Sequence, residues 1–200
     1  YKLLKEVFLR KKAIKDFRPD LKSFLFNLRP YFWCCTHDRD IYNWQTEVII
    51  WWNDWAINGY SHKKPQLYLY GESNIGKTTF IFDLFKASIN PNGETIEKFY
   101  EKYIFSPTPV EYKYAFQTYE AKKHLLMVID EFNVSEYSFS DLKKCLAGET
   151  FMANIKQDSP EPIYIQKPQI IISNYPPPTS DKYKGFVQRL KIVYADQKYF

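Results

Sequence analysis

Glycine and cysteine are scarce in this 200-residue chain, at six and three residues, and no long apolar run is present. Cys34, Cys35 and Cys145 are too few for the disulfide framework of a small secreted domain, so a reducing compartment is expected. Cys34-Cys35-x-His37 is too cramped for ordinary zinc spacing and no second ligand pair follows, which argues against a metal centre there. The longest aliphatic or aromatic runs, Val48–Trp52 and Leu125–Ile129, fall far short of the roughly 20 residues that cross a bilayer. No membrane partner is expected. The opening Tyr1-Lys-Leu-Leu-Lys-Glu6 is charged and helix-like rather than a secretion signal. Because it lacks an initiator Met, the chain is expected to be a fragment of something longer.

What is present is apolar and aromatic. Apolar residues make up 45% and aromatics 19%, with seventeen Tyr and sixteen Phe, enough for a packed core and against wholesale disorder. The length suits one domain with a small helical appendage. The net charge of +5 is uneven: residues 1–30 hold nine Lys/Arg against three Asp/Glu, leaving nineteen against twenty for the rest. All the net positive charge thus sits in the first thirty residues.

Leu3, Val7, Ile14, Phe17, Leu21, Phe24 and Leu28 recur at three- and four-residue spacings, the mark of an amphipathic helix that Pro19 splits in two. Its basic face is either solvated, a protein–protein collar, or a contact for an anionic polymer. A further helix is predicted over Tyr42–Ile57, its stripe of Trp44, Val48, Trp51, Trp52 and Trp55 reading as core and Asn58-Gly59 as its C-cap. The domain boundary is expected at 60/61, between a helical part, residues 1–60, and a second part, residues 61–200, in which the pattern changes. There, Gln66–Tyr70, Leu125–Asp130 and Ile163–Ser173 (broken by Pro168) read as strands, and Thr78–Ser88 as a helix. Continuous apolar strands separated by helices predict an α/β fold, a parallel sheet covered on both faces.

The strongest motif is Gly71-Glu-Ser-Asn-Ile-Gly-Lys-Thr78, a G-x-x-x-x-G-K-[ST] loop between a predicted strand and a predicted helix. Gly71 and Gly76 let the backbone curl, so that N–H groups along Ser73, Asn74, Ile75, Gly76, Lys77, Thr78 and Thr79 can face phosphate oxygens at a helix N-terminus. Lys77 can reach the β- and γ-phosphates, and Thr78 can offer its hydroxyl to Mg²⁺. About fifty residues on, an apolar strand ends in Asp130-Glu131. Ligands of α/β sheets collect at that edge, where Asp130 suits a Mg²⁺ shell and Glu131 suits activation of a water. Alone this is a weak signal; with the loop it implies a nucleoside triphosphatase using ATP and Mg²⁺. A third strand, Gln169–Asn174, presents Asn174 at the same edge, either to a γ-phosphate or as the start of the Tyr175-Pro-Pro-Pro178 turn.

Taken together, Asn74, Asp130-Glu131 and the Ile-Ile-Ser-Asn174 strand resemble superfamily 3 helicases, among them the Rep replication initiators of small circular single-stranded DNA viruses. Leu146-Ala-Gly148 followed by Thr150–Gln157 resembles that family's pore hairpin, with Lys156 in the DNA-gripping slot and Gln157 beside it. The Trp44-Gln45 helix is similar to the element ahead of the loop in viral Rep proteins. Arg189, fifteen residues beyond Asn174, falls where members place an arginine finger supplied in trans, with Lys184 and Lys191 as competitors.

The resemblance implies an AAA+-like P-loop fold in a closed homo-oligomer, a hexamer above all, with residues 1–60 as a helical oligomerisation collar and residues 61–200 as the superfamily 3 ATPase domain. It further implies ATP-driven movement on single-stranded DNA during rolling-circle replication, in a host nucleus, with an N-terminal nicking endonuclease domain outside this fragment. Two alternatives stay open: an RNA-virus ATPase of the same superfamily acting on RNA, and a non-motor P-loop NTPase.

Overall fold

The computed structural model describes residues 41–62, 64–89, 100, 102–107 and 114–199. The predicted amphipathic helices of residues 1–30 and the Cys34-Cys35-x-His37 cluster lie outside the described residues.

The first described element is α1 (Asn43–Asn58). Its start is fixed by the Tyr42 N–H, which donates to Gln45 Oε1 at 3.1 Å. Its end is fixed by Gly59, which adopts φ 65° and donates its N–H to the Trp55 carbonyl. The tryptophans fall on its buried side: Trp44, Trp51, Trp52 and Trp55 are all under 5% exposed. Each fully buried ring removes about 150–250 Å² from water, on the order of 4 kcal/mol apiece.

Five strands form one sheet: β1 (Gln66–Gly71), β2 (Ile104–Phe105), β3 (Leu126–Ile129), β6 (Gln169–Ser173) and β7 (Leu190–Ala195), in spatial order β2-β3-β6-β1-β7. Every pairing within it is parallel. Helices α2 (Lys77–Ile89), α3 (Phe139–Ala147) and the short α4 (Lys184–Val187) complete the layers. The expected α/β class with helices flanking a parallel sheet is therefore what the chain adopts. Side chains alternate across β1: Leu67 and Leu69 enter the core shared with α1 and α2, and Tyr68 enters the core shared with α3 and α4. Both faces are covered, which is why these strands read as unbroken apolar runs. Helix α1 shares its core with Leu67, Phe80 and Val193, so it packs directly on the sheet.

The predicted Ile163–Ser173 strand divides. Pro168, unable to donate to a ladder, precedes β6, and the upstream part joins a separate antiparallel hairpin of β4 (Phe151–Ala153) and β5 (Glu161–Ile163).

Two buried glutamines tie the layers together at the edge where the strands begin. Gln169 Nε2 donates to the carbonyls of Cys145 at 2.8 Å and Ile165 at 3.0 Å, and its backbone N–H donates to Gln66 Oε1 at 3.0 Å. Gln66 Nε2 donates to the Leu146 carbonyl. Gln66 thereby satisfies the Leu146 carbonyl near the end of α3, and Gln169 adds to the Gly148 N–H that already reaches the Cys145 carbonyl. These bonds also place the C-terminal end of α3 at the edge where the strands begin.

Candidate functional site

Because the pairings are parallel, the segments after β1, β3 and β6 all leave from one edge of the sheet. There they enclose a cleft of about 320 Å³ lined by Ser73, Asn74, Gly76, Lys77, Thr78, Thr79, Asp130, Glu131, Ile172, Ser173, Asn174 and Lys198.

The loop from Gly71 to Thr78 turns twice through left-handed backbone, at Asn74 (φ 60°) and Gly76 (φ 93°). Gly71 is required for another reason. A Cβ there would lie 2.3 Å from the Ala195 carbonyl oxygen of β7, so close approach of two strands, rather than curl, excludes a side chain. Lys77 is 6% exposed. Its Nζ donates to the carbonyls of Gly71 at 2.9 Å and Glu72 at 2.7 Å, and to Asn174 Oδ1 at 3.1 Å. Burial pulls the Lys77 pKa below the usual lysine value, opposed in part by the Asp130 carboxylate.

Thr78 Oγ1 lies 3.1 and 2.9 Å from the two Asp130 carboxylate oxygens and donates to them. The Glu131 N–H also donates to Asp130 Oδ1 at 2.9 Å. Glu131 itself stands at φ 51°, an uncommon conformation for a non-glycine residue and one that accumulates at functional sites. Asn174 is braced from below: Ser173 Oγ donates to the Phe132 carbonyl and accepts from the Tyr175 N–H. A second cleft of about 500 Å³ adjoins the first and shares Glu131, Ser173 and Asn174 with it; Tyr68, Phe132, Glu136 and Tyr175 line its far side.

The structure therefore brings Ser73, Asn74, Gly76, Lys77, Thr78, Thr79, Asp130, Glu131 and Asn174 to one cleft, with Gly71 and Ile75 in the loop that forms it. It places Arg189, Lys156 and Gln157 elsewhere. Arg189 immediately precedes β7, and its carbonyl accepts from the Gln66 N–H, at the opposite edge of the sheet. With a rise of about 3.3 Å per residue, six-residue β1 separates the two edges by roughly 17 Å, further than an arginine side chain extends. Arg189 donates to the Gly185 carbonyl and faces Glu149 at 4.0 Å. Of its competitors, Lys191 pairs with Glu47 of α1 at 2.9 Å, and Lys184 opens α4.

Lys156 and Gln157 occupy the exposed connection between β4 and β5, Gln157 at φ 65°. The Lys156 N–H donates to Gln117 Oε1. Gly148 of the Leu146-Ala-Gly148 segment ends α3 in the left-handed conformation, with the Tyr60 hydroxyl donating to the adjacent Ala147 carbonyl at 2.9 Å. Trp44 Nε1 donates to the Gln197 carbonyl at 3.0 Å, which ties α1 to the residues after β7.

No family model matches the chain, and no curated protein does. Among solved structures the chain is similar to the apo A form of the NrS-1 C-terminal region, at 14% identity and a TM-score of 0.50, covering 92% of this chain and 44% of that one. Another structure of that region gives 14% identity, a TM-score of 0.45, and 92% and 43% coverage. The first is a likeness of fold, and the chain spans less than half the length of these neighbours.

Among the described residues no group of three or more His, Cys, Asp and Glu could hold a metal alone. Mg²⁺ takes one or two protein oxygens and leaves the rest of its shell to water and phosphate. Asp130 and Thr78, already in contact, are the fitting pair. No helix among the described residues is long and apolar enough to cross a membrane. Sequence reasoning missed Lys198 in the cleft lining; no motif marks it.

Proposed function

We propose that the chain is an ATP-hydrolysing P-loop motor of the superfamily 3 helicase type, AAA+-like in fold, which assembles as a ring, most naturally a hexamer, and moves on single-stranded DNA during rolling-circle replication. The observation that carries the reading is the convergence of Lys77, the Thr78–Asp130 pair, Glu131 and Asn174 on one cleft at the C-terminal edge of a parallel sheet.

On this reading the loop N–H groups and the Lys77 ammonium hold the triphosphate. The partners Lys77 now uses, two backbone carbonyls and Asn174, keep its ammonium aimed into the cleft. Thr78 and Asp130 would hold Mg²⁺, which when bound supplies charge neutralisation on the phosphate oxygens. Glu131, on the wall shared with the second cleft, orients the attacking water and takes its proton. Asn174, on the same wall, hydrogen-bonds the γ-phosphate.

Arg189 is too far from its own cleft to act there, which favours a role in a neighbour's site and so a closed assembly. The β4–β5 hairpin presents Lys156, with Gln157, to phosphates of the DNA strand, a contact that weakens with salt and reads little sequence.

The deciding experiment is ATP turnover with and without single-stranded DNA, alongside particle mass with ATP bound. The motor reading expects a ring-sized particle whose turnover rises with DNA, and Lys156→Ala should remove that rise and leave basal turnover. A monomer with DNA-indifferent turnover refutes the motor and leaves a non-motor P-loop NTPase.

A further inference from the structure

The described residues after β7, 196–199, do not hang free of the site. The Gln197 carbonyl accepts from Trp44 Nε1 at 3.0 Å, and the Tyr199 N–H donates to the Ile75 carbonyl, inside the glycine loop, at 2.7 Å. The Tyr199 hydroxyl donates to Asp83 of α2 at 3.0 Å, and its ring meets Phe80 edge-on at 5.3 Å. Phe80 in turn meets Trp44 at 5.0 Å. Trp44 and Phe80 are 1% exposed and Tyr199 6%, so this is core packing and not a surface contact.

Residues 197–199 thus strap the loop to α1 and α2, with Lys198 between two positions fixed by backbone hydrogen bonds. Lys198 lines the same cleft as Lys77. Two lysines and two carboxylates make up the charged lining, and the Asp130 carboxylate is already engaged by Thr78 and the Glu131 N–H.

We propose that Lys198 is a second phosphate-binding cation of this cleft, held in position by the Gln197–Tyr199 strap. The proposal rests on the nucleotide reading above and adds a contact that the glycine loop does not provide. A lysine suits the role: a compact charge on a flexible stem meets a phosphate oxygen as a point charge, without the fixed fork geometry of arginine. Its anchored backbone limits the freedom lost on binding.

The test is calorimetric titration of Mg-ATP, and separately of Mg-pyrophosphate, into the full chain and into Lys198→Ala, Lys198→Arg and Lys77→Ala. The expected result is about a tenfold loss of affinity for both ligands in Lys198→Ala, the scale of one charge-assisted hydrogen bond. Lys198→Arg should recover most of it, and the salt dependence of binding should be shallower in Lys198→Ala. The melting temperature of Lys198→Ala without ligand should match the parent, which separates lost contact from lost fold. Unchanged affinity in Lys198→Ala with binding lost in Lys77→Ala overturns the proposal and leaves the nucleotide reading standing. A parent chain that binds neither ligand overturns both.

Discussion

Replacing Gly148 by alanine tests whether the end of α3 is shaped as its contacts require. Gly148 sits at φ 66°, and a Cβ built there would lie 2.4 Å from the Tyr60 hydroxyl oxygen and 2.7 and 2.8 Å from two of its ring carbons. Two costs follow. An L side chain in the left-handed region costs roughly 1–2 kcal/mol. Tyr60 must also move, giving up its hydrogen bond to the Ala147 carbonyl, worth roughly 0.5–1.5 kcal/mol. The sum is roughly 1.5–3.5 kcal/mol, or a fall in Tm on the order of 3–14 °C for a domain of this size. Urea denaturation of the parent, Gly148→Ala, Tyr60→Ala and the double variant separates the two parts. In the Tyr60→Ala background the alanine should cost only the backbone part, roughly 1–2 kcal/mol. A Gly148→Ala loss below about 1 kcal/mol, or the same loss in both backgrounds, would refute the reasoning.

Gly71→Ala places its methyl against the Ala195 carbonyl oxygen, which is backbone and cannot rotate away, so β1 and β7 must part; the expected loss is about 3 kcal/mol or more by chemical denaturation, and parent-like stability would contradict the close approach. His124 is buried, and burial first, then Lys123, lowers its pKa against the opposing pull of Glu120. The unfolded chain therefore binds the extra proton first, and stability falls as pH drops below about 6.5 and on towards the folded-state pKa. Protonating Nδ1 also ends its acceptance of the Glu120 N–H, so His124→Gln should flatten the urea-midpoint profile between pH 7.5 and 5.5; parallel profiles would remove His124 as the cause. Mixing Lys77→Ala with Arg189→Ala subunits should restore turnover, because a site formed by the second variant beside the first is complete; random equimolar rings would contain about a quarter such sites. Mixtures no better than either parent variant would exclude a trans role for Arg189.

The legible parts of this chain are those where one pattern specifies one structure. The strand, glycine loop and helix from Gln66 to Ile89 could be read because apolar run, glycines and helix onset follow without interruption. Helix α1 could be read because four tryptophans at helical spacing admit one buried face. Strand β7 escaped notice because it is an edge strand: Ile192 and Tyr194 are 40% and 53% exposed, so its residues alternate and lack the unbroken run of β6. Helix α3 is nine residues with four buried, too short for its period to stand out. Strand β2, two residues long, carries no pattern at all. Of the site, the motif residues were readable but their contacts were not. That Asn174 takes a hydrogen bond from Lys77, and that Lys198 is delivered to the cleft, depends on strand order and on a strap held by Trp44, Ile75 and Asp83.

The two edges of the sheet pose the mechanical question that any motor reading must answer. The cleft with Lys77, Asp130 and Asn174 lies at one edge, while Arg189 and the base of the β4–β5 hairpin lie at the other. Strand β6 spans both, with Asn174 just past its C-terminal end and Gln169 at its start. Gln169 holds the carbonyls of Cys145 and Ile165, the first at the end of α3 ahead of the hairpin and the second just after it. A displacement of Asn174 along β6 would therefore arrive at both roots of the hairpin together. The connection is a buried, hydrogen-bonded polar joint, the kind of close-packed contact through which such a shift would pass. Glu149, next to the hairpin, also faces Arg189 at 4.0 Å. The residue proposed to report on a neighbour's phosphate and the hairpin proposed to grip DNA therefore meet at one point of the fold. On the proposed ring reading, that arrangement would let each hairpin respond to two clefts, its own through β6 and a neighbour's through Arg189.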